Sequence, residues 1–432
     1  VYGEQLRKIG ELEKQLMESP AEKEVQAEFL RRAARYQAWL AEPEVALRRE
    51  RAAAQERIRQ LKLDNADSAR IVAAHRELAA LPRDVDAARE LWTRAMNESR
   101  DRALPLGGLA PHGRPFAGDP DGTPQEQQAF SDSRANFLAL VFCLMVGTAG
   151  LPHLLTRFYT TPGVADARRS VAWALFFIVL LYLSVPALAV MVKFELMQDL
   201  VGSSFSTLPN WILQWAKVDP SLISVSDVNG DGLVQFGEIR LGADIIMLAT
   251  PEIGGMPYVV SGLVAAGGLA AALSTADGLL LTISNAMVRD MYAHEARHTA
   301  TAEQRVILSK FALMGVALVA ALVASLKPAE ILPLVSASFS LAAAAFVPVM
   351  VLGIFWPGAN RAGAVAGMTA GLATTVGYML LNAPQVRAAF GATTPQTLWF
   401  GLLPASSGVF GVAVGLVAAV AVSLATGRNR PA

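Results

Sequence analysis

The chain has 432 residues, of which 53% are hydrophobic and 17% charged, a balance too apolar for an ordinary soluble domain and typical of membrane spans. Its 37 basic and 37 acidic side chains cancel, so no basic field implies nucleic acid as a partner. The lone cysteine, Cys143, excludes an intramolecular disulfide framework and a thiolate metal cluster, and the scattered histidines form no HExxH motif.

Residues 1–104 are polar and carry helical patterning. Ser19-Pro20-Ala21-Glu22 reads as an N-cap, a proline at the first helical position and a capping-box glutamate. Pro43 and Pro82 read as similar helix starts. Apolar residues recur at helical spacing in Leu6, Ile9, Leu12, Leu16, in Phe29, Tyr36, Leu40, and in Ile58, Leu61 and Ile71, Leu78, while the other faces are rich in Arg and Glu. The narrow stripe predicts helical hairpins or a short coiled coil with solvated charged faces. A binding surface for a protein partner is the competing reading. Residues 105–130 read as a Pro/Gly linker. Val1 is not a start methionine and opens no signal-peptide pattern, so the chain is read as the C-terminal portion of a longer protein.

Residues 131–427 read as a transmembrane region of about seven spans, at 135–156, 168–193, 256–288, 306–326, 330–356, 361–382 and 401–426. Each is near the length needed to cross hydrocarbon. Short alternate loops collect positive charge: Arg157, Arg168 and Arg169; Arg289, Arg297, Arg305 and Lys310; Arg361; Arg428 and Arg430. The positive-inside rule puts these loops and the C-terminus in the cytoplasm, and residues 1–130 and the loop 194–255 outside. The Arg-rich insert runs against that rule, but long segments translocate largely regardless of charge.

In the first span Gly147, Gly150 and Pro152 fall within six residues. A backbone interrupted at membrane depth is tolerated where it is buried or lines a cavity. Freed N–H groups there can receive a carboxylate. Gly147, Thr148, Gly150, Pro152 and His153 are therefore candidate substrate-binding residues. A plain proline kink is the alternative.

The loop 194–255 contains Asp227-Val-Asn229-Gly-Asp231-Gly232-Leu233-Val234-Gln235-Phe236-Gly237-Glu238, which fits D-x-[DN]-x-[DN]-G-x5-E at every constrained position. Asp227, Asn229 and Asp231 supply short oxygen side chains at positions 1, 3 and 5, and Gly232 permits the sharp turn at 6. The Leu233 carbonyl serves position 7, Gln235 stands at 9 and Glu238 can bind bidentately at 12. The expectation is a structural Ca2+ site of weak affinity.

The third span carries a single formal charge from Gly262 to Val288, Asp277. Ser274, Thr275 and Asp277 lie near mid-membrane depth, where polar groups are costly unless they pair or bind something. Ala271, Ser274 and Thr275 stand at i, i+3 and i+4 and share a helix face. Two hydroxyls and a carbonyl are the hard oxygen donors a sodium ion takes. The competing reading has the hydroxyls bonding back to the carbonyls one turn earlier.

Two segments, GLVAAGGLAAALSTADGLLLTISNAMVRDMY from Gly262 and GTAGLPHLLTRFYTTPGVADARRSV from Gly147, resemble the sodium:solute symporter family, in particular its acetate-permease-like (cation/acetate symporter) branch. The resemblance covers about Phe137 to Gly427. It implies an all-α membrane protein, the second half of a LeuT-type inverted-repeat transporter, with the polar helical insert added outside. The last five helices of the ten-helix core would start near the first span, followed by two peripheral helices. It also implies that Ala271, Ser274 and Thr275 form the family's second sodium site, with the remaining ligands on a first core helix that this chain lacks. The segment at Gly147 corresponds to the discontinuous helix that faces substrate. Asp277 has no clean family assignment and is left between pairing with an Arg and a part in ion coupling.

The function implied is symport. Sodium would move down its gradient and carry a small organic anion, a monocarboxylate such as acetate, across a bacterial inner (plasma) membrane without covalent chemistry. The alternative is a transporter-like membrane sensor regulated through the insert and the calcium loop. An enzyme is not expected, since no nucleophile elbow or metalloprotease motif occurs.

Overall fold

A computed structural model describes residues 2–64, 66–108, 111–112, 116–155, 161–219, 222–242, 245–288, 302–326, 331–383, 386–387 and 398–427. Arg157, Arg289, Arg297, Arg428 and Arg430, on which the expected orientation partly rests, lie outside the described residues. The chain divides into two units, one of residues 1–114 with 182–261, the other of 115–181 with 262–432.

The first unit begins with five helices: α1 (Tyr2–Glu18), α2 (Pro20–Ala41), α3 (Pro43–Leu63), α4 (Ser68–Ala80) and α5 (Val85–Arg102). Helix α2 packs on α5, and α3 on α4. Trp39 and Trp92 join the first pair with ring centroids 5.1 Å apart. The stripe Leu6, Ile9, Leu12, Leu16 of α1 packs with Leu106, Val190 and Met197. Prolines open α2 and α3 as expected. The third start is different. Helix α5 begins at Val85, where the Asp84 carboxylate accepts the Ala87 N–H at 2.8 Å. Asp84 offers a side-chain acceptor and Pro82 does not, so the helix starts at the cap.

Residues 182–261 complete this unit with the C-terminal part of α8 (Val164–Glu195), α9 (Asn210–Val218), α10 (Ile246–Ile253) and a two-stranded antiparallel ribbon. Strand β1 (Ile223–Val225) pairs with β2 (Ile239–Leu241) in the register Ile223↔Leu241. Val192, Leu196, Leu200, Ile212, Ile223, Ile245 and Ala249 form its core. An ion pair between Glu13 of α1 and Lys193 of α8 is largely buried, with side chains 3% and 16% exposed. The same carboxylate accepts the His112 backbone N–H, at 2.8 and 3.0 Å to its two oxygens.

The second unit contains α6 (Pro124–Gly150), α7 (Pro152–Leu155), most of α11 (Tyr258–Asn285), α12 (Ala302–Ser325), α13 (Ile331–Phe355), α14 (Arg361–Asn382) and α15 (Gly408–Gly427). With α8, seven helices among the described residues are long and apolar enough to cross a membrane, at the seven places expected. Helix α6 starts earlier than expected, inside the stretch read as linker. Thr123 caps it: Glu126 N–H donates to Thr123 Oγ1 at 3.4 Å and Thr123 N–H to Glu126 Oε2 at 2.7 Å.

Helices α14 and α15 approach closely through small residues. A Cβ on Gly411 would run into Thr375 Oγ1 and Ala344 Cβ, whereas one on Gly377 of α14 would meet nothing within 4 Å. Gly411→Val is therefore expected to destabilise the helix pair by about 1–3 kcal/mol, the usual cost of overpacking. Gly377→Ala should be tolerated. Equal thermal unfolding of the two variants in detergent would mean that this packing is loose. Polar bonds pin the turn before α15. Tyr378 Oη donates to the Leu402 carbonyl at 2.7 Å, and Leu403 N–H donates to Asn136 Oδ1 at 2.7 Å.

Candidate functional site

The loop 227–238 is a tight cage of its own hydrogen bonds. Asp227 accepts the N–H groups of Gly230 at 2.7 Å and Gly232 at 3.1 Å. Asn229 Oδ1 accepts the Asp231 N–H at 3.1 Å, and Asp231 Oδ1 accepts the Leu233 N–H at 2.8 Å. Gly232 has φ +75°, the left-handed conformation position 6 requires. Glu238 is fully buried. Its carboxylate accepts N–H groups from Val228 at 2.5 Å, Asn229 at 3.4 Å and Gln235 at 3.1 Å. Burial pushes the Glu238 carboxyl up from its ordinary value, and these N–H groups pull it back. Gln235 Nε2 donates to Asp231 Oδ2 at 2.6 Å, while its buried Oε1 has no hydrogen-bond partner.

Among the described residues no three His, Cys, Asp or Glu side chains gather as a ready-made metal cluster. The loop's acidic oxygens are turned onto backbone N–H groups and, for Asp231 Oδ2, onto the Asn229 and Gln235 side-chain amides. By donor type, Asn229, Gln235 and the Leu233 carbonyl are the neutral oxygens that would complete an EF-type set. The residues fit a calcium ion by donor chemistry and turn conformation.

Three further segments hold this loop. Val234, at position 8, is fully buried. Its N–H donates to the Ser203 carbonyl at 2.8 Å, and its carbonyl accepts the Gly202 N–H at 2.7 Å. From α2, the Glu22 carboxylate accepts the N–H groups of Phe236 and Gly237. The sequence pattern marks Glu22 as a local capping-box residue, yet Ser19 makes no side-chain cap bond and Glu22 reaches this turn instead. Burial is the main cause raising the Glu22 carboxyl, with a smaller push from Glu238. From α5, Arg102 donates to the Gly237 carbonyl at 2.8 Å, and its guanidinium lies 4.6 Å from the centroid of the Phe29 ring. Glu98 pairs with Arg240 at 2.7 Å. Reading the sequence missed all of these partners.

The first span is interrupted where Gly147, Gly150 and Pro152 occur. Helix α6 ends at Gly150, Leu151 is extended (φ −70°, ψ 115°), and α7 starts at Pro152. The glycines also serve packing: a Cβ on Gly147 would meet Phe339, and one on Gly150 would sit 2.9 Å from Val347 Cγ2. Thr148 Oγ1 bonds back to the Leu144 carbonyl at 2.6 Å. His153 lies in α7, half-buried.

Ala271, Ser274 and Thr275 lie on one exposed face of α11. Thr275 Oγ1 donates to the Ala271 carbonyl at 3.1 Å, the back-bond that competes with ion binding. Asp277 is exposed on the same helix and makes no ion pair among the described residues.

Seven long apolar helices, one of them broken, define an α-helical integral membrane protein. Residues 248–371 match the model of the "Sodium:solute symporter family", a family of transporters and not of enzymes. The whole chain is 48% identical to an uncharacterized symporter of Cupriavidus necator and covers 61% of that protein. It is 27% identical to a "Monocarboxylic acid transporter" of Corynebacterium glutamicum over 62% of this chain and 42% of that protein. The chain thus spans less than two thirds of the length of either relative. No solved structure matches.

Proposed function

We propose that the whole protein couples sodium entry to uptake of a small organic anion, a monocarboxylate such as acetate. The observation that carries this reading is the family match over 248–371, a range that includes α11 with Ala271, Ser274 and Thr275. In this reading the Ala271 carbonyl and the two hydroxyls ligate sodium. The break at Leu151 supports an anion site near Gly147, Thr148, Gly150, Pro152 and His153, because discontinuous membrane helices are where transporters build substrate sites. The printed name of the Corynebacterium relative favours a monocarboxylate. The spans would form the second half of a LeuT-type inverted repeat in a bacterial inner membrane. The insert and the loop 194–255 would lie outside and the C-terminus in the cytoplasm. The loop Asp227–Glu238 would hold Ca2+ as a structural ion, supported by its left-handed Gly232 and the buried free oxygen of Gln235.

A second reading, a transporter-like sensor, is favoured by one observation, the seating of helices α2 and α5 on that loop. Uptake separates the two. Full-length protein in proteoliposomes should accumulate labelled acetate when a sodium gradient is imposed, and a potassium gradient should not replace it. Equal uptake without sodium would overturn the coupling, and no uptake of any monocarboxylate would favour the sensor.

A further inference from the structure

We infer that Glu22 of α2 is a positioning residue for divalent-cation binding at 227–238, so that cation binding and docking of the helical insert are thermodynamically linked. This rests on the calcium reading above and adds to it a partner within the chain.

Besides the hydrogen bonds within it, a twelve-residue loop can be held in ligating shape by contacts from outside. Here two distant segments do so. Residues 202–203 bond both backbone groups of Val234 and fix the middle of the loop. The end of the loop depends on the insert. Glu238 sits on a single helical turn, Phe236–Glu238. The two N–H groups that open this turn, of Phe236 and Gly237, both donate to Glu22. Arg102 takes the Gly237 carbonyl. Gly237 sits close against α2, where a Cβ would lie 3.1 Å from Val25 Cγ1 and 3.3 Å from Glu22 Oε2. Val25, Phe29 and Val228 close an apolar cluster beside it. The turn that aims the position-12 carboxylate is thus built from residues more than a hundred positions upstream.

A second observation points to a ligand. Gln235 is 5% exposed and its Oε1 is buried without a partner, while its Nε2 is tied to Asp231 at position 5. A buried carbonyl oxygen left unpaired is costly, and a cation between the loop's side chains would satisfy it. Glu22 uses both oxygens on N–H groups, so its part is to orient Glu238. Linkage then follows. If the insert undocks, the turn loses its two acceptors and Glu238 its aim. By reciprocity, a cation that holds Glu238 keeps the seat of Glu22 formed.

The test uses full-length protein in detergent, with Ca2+ alone as probe. Hydrogen exchange across residues 20–41 is followed with and without Ca2+, and affinity is measured by calorimetry. Wild type, Glu22→Gln, the exposed control Glu24→Gln, and Asp227→Ala with Glu238→Gln are compared. The expectation is that Ca2+ slows exchange across α2 in wild type and not in the loop double variant. Glu22→Gln should bind Ca2+ about tenfold more weakly, and Glu24→Gln as wild type. Saturable binding that leaves α2 exchange unchanged overturns the linkage while the calcium reading stands. No saturable binding in wild type overturns both. Should Glu22→Gln fail to fold, the exchange of wild-type α2 decides alone.

Discussion

Replacing Ser274 and Thr275 together by alanine in the full-length protein is expected to bring sodium-driven uptake to background while the protein still inserts and folds. Both hydroxyls sit on an exposed face of α11, and among the described residues Thr275 Oγ1 bonds to the Ala271 carbonyl of its own helix. Their removal therefore costs the helix little. The cost falls on the ion. A ligand oxygen to a charged group contributes about 1.5–3 kcal/mol, so losing two weakens sodium binding about 100-fold or more. Sodium activation curves of acetate uptake read this directly. Ser274→Ala alone should shift the curve part of the way. A double variant with unchanged sodium activation would refute the ligand assignment, and the back-bond of Thr275 would then be its whole role.

Glu13→Ala should produce the largest loss of stability in the first unit. It leaves the Lys193 ammonium and the His112 N–H buried without their shared acceptor. Breaking a buried ion pair from one side costs roughly 3–5 kcal/mol. Glu13→Gln keeps an acceptor for His112 and should lose less. Replacing both partners, as Glu13→Leu with Lys193→Met, should recover most of the loss, because no charge remains stranded. Limited proteolysis and thermal unfolding followed by tryptophan fluorescence measure all three. A cost below about 1 kcal/mol for Glu13→Ala would mark the pair as effectively solvated.

What the sequence made legible divides by the distance between interacting residues. The seven spans were readable because length and apolar content act within one helix. The turn geometry of the loop from Asp227 was readable because its caps act within a few residues. The start of α6 was also open to inspection, since Thr123-Pro-Gln-Glu126 repeats the pattern noticed at Ser19–Glu22. That local pattern misled at Glu22. Its carboxylate has a choice of N–H groups, and the winning pair lies 214 and 215 positions away, where no short-range rule reaches. The glycines of the first span were read for backbone freedom alone. Gly147 and Gly150 also admit close contact with Phe339 and Val347, which no spacing within the span could reveal.

The first unit draws on residues 1–114 and 182–261, and this has a consequence for synthesis. At about 5–20 residues per second, some 10–40 s separate the emergence of Glu22 from that of Phe236. Two potential spans, α6 and α8, must be threaded in between. For that interval α2 and α5 have each other to pack on but not the loop they later grip. The insert must therefore stay soluble on its own helix packing, which its Arg- and Glu-rich faces allow. The final assembly of this unit is a late, long-range event.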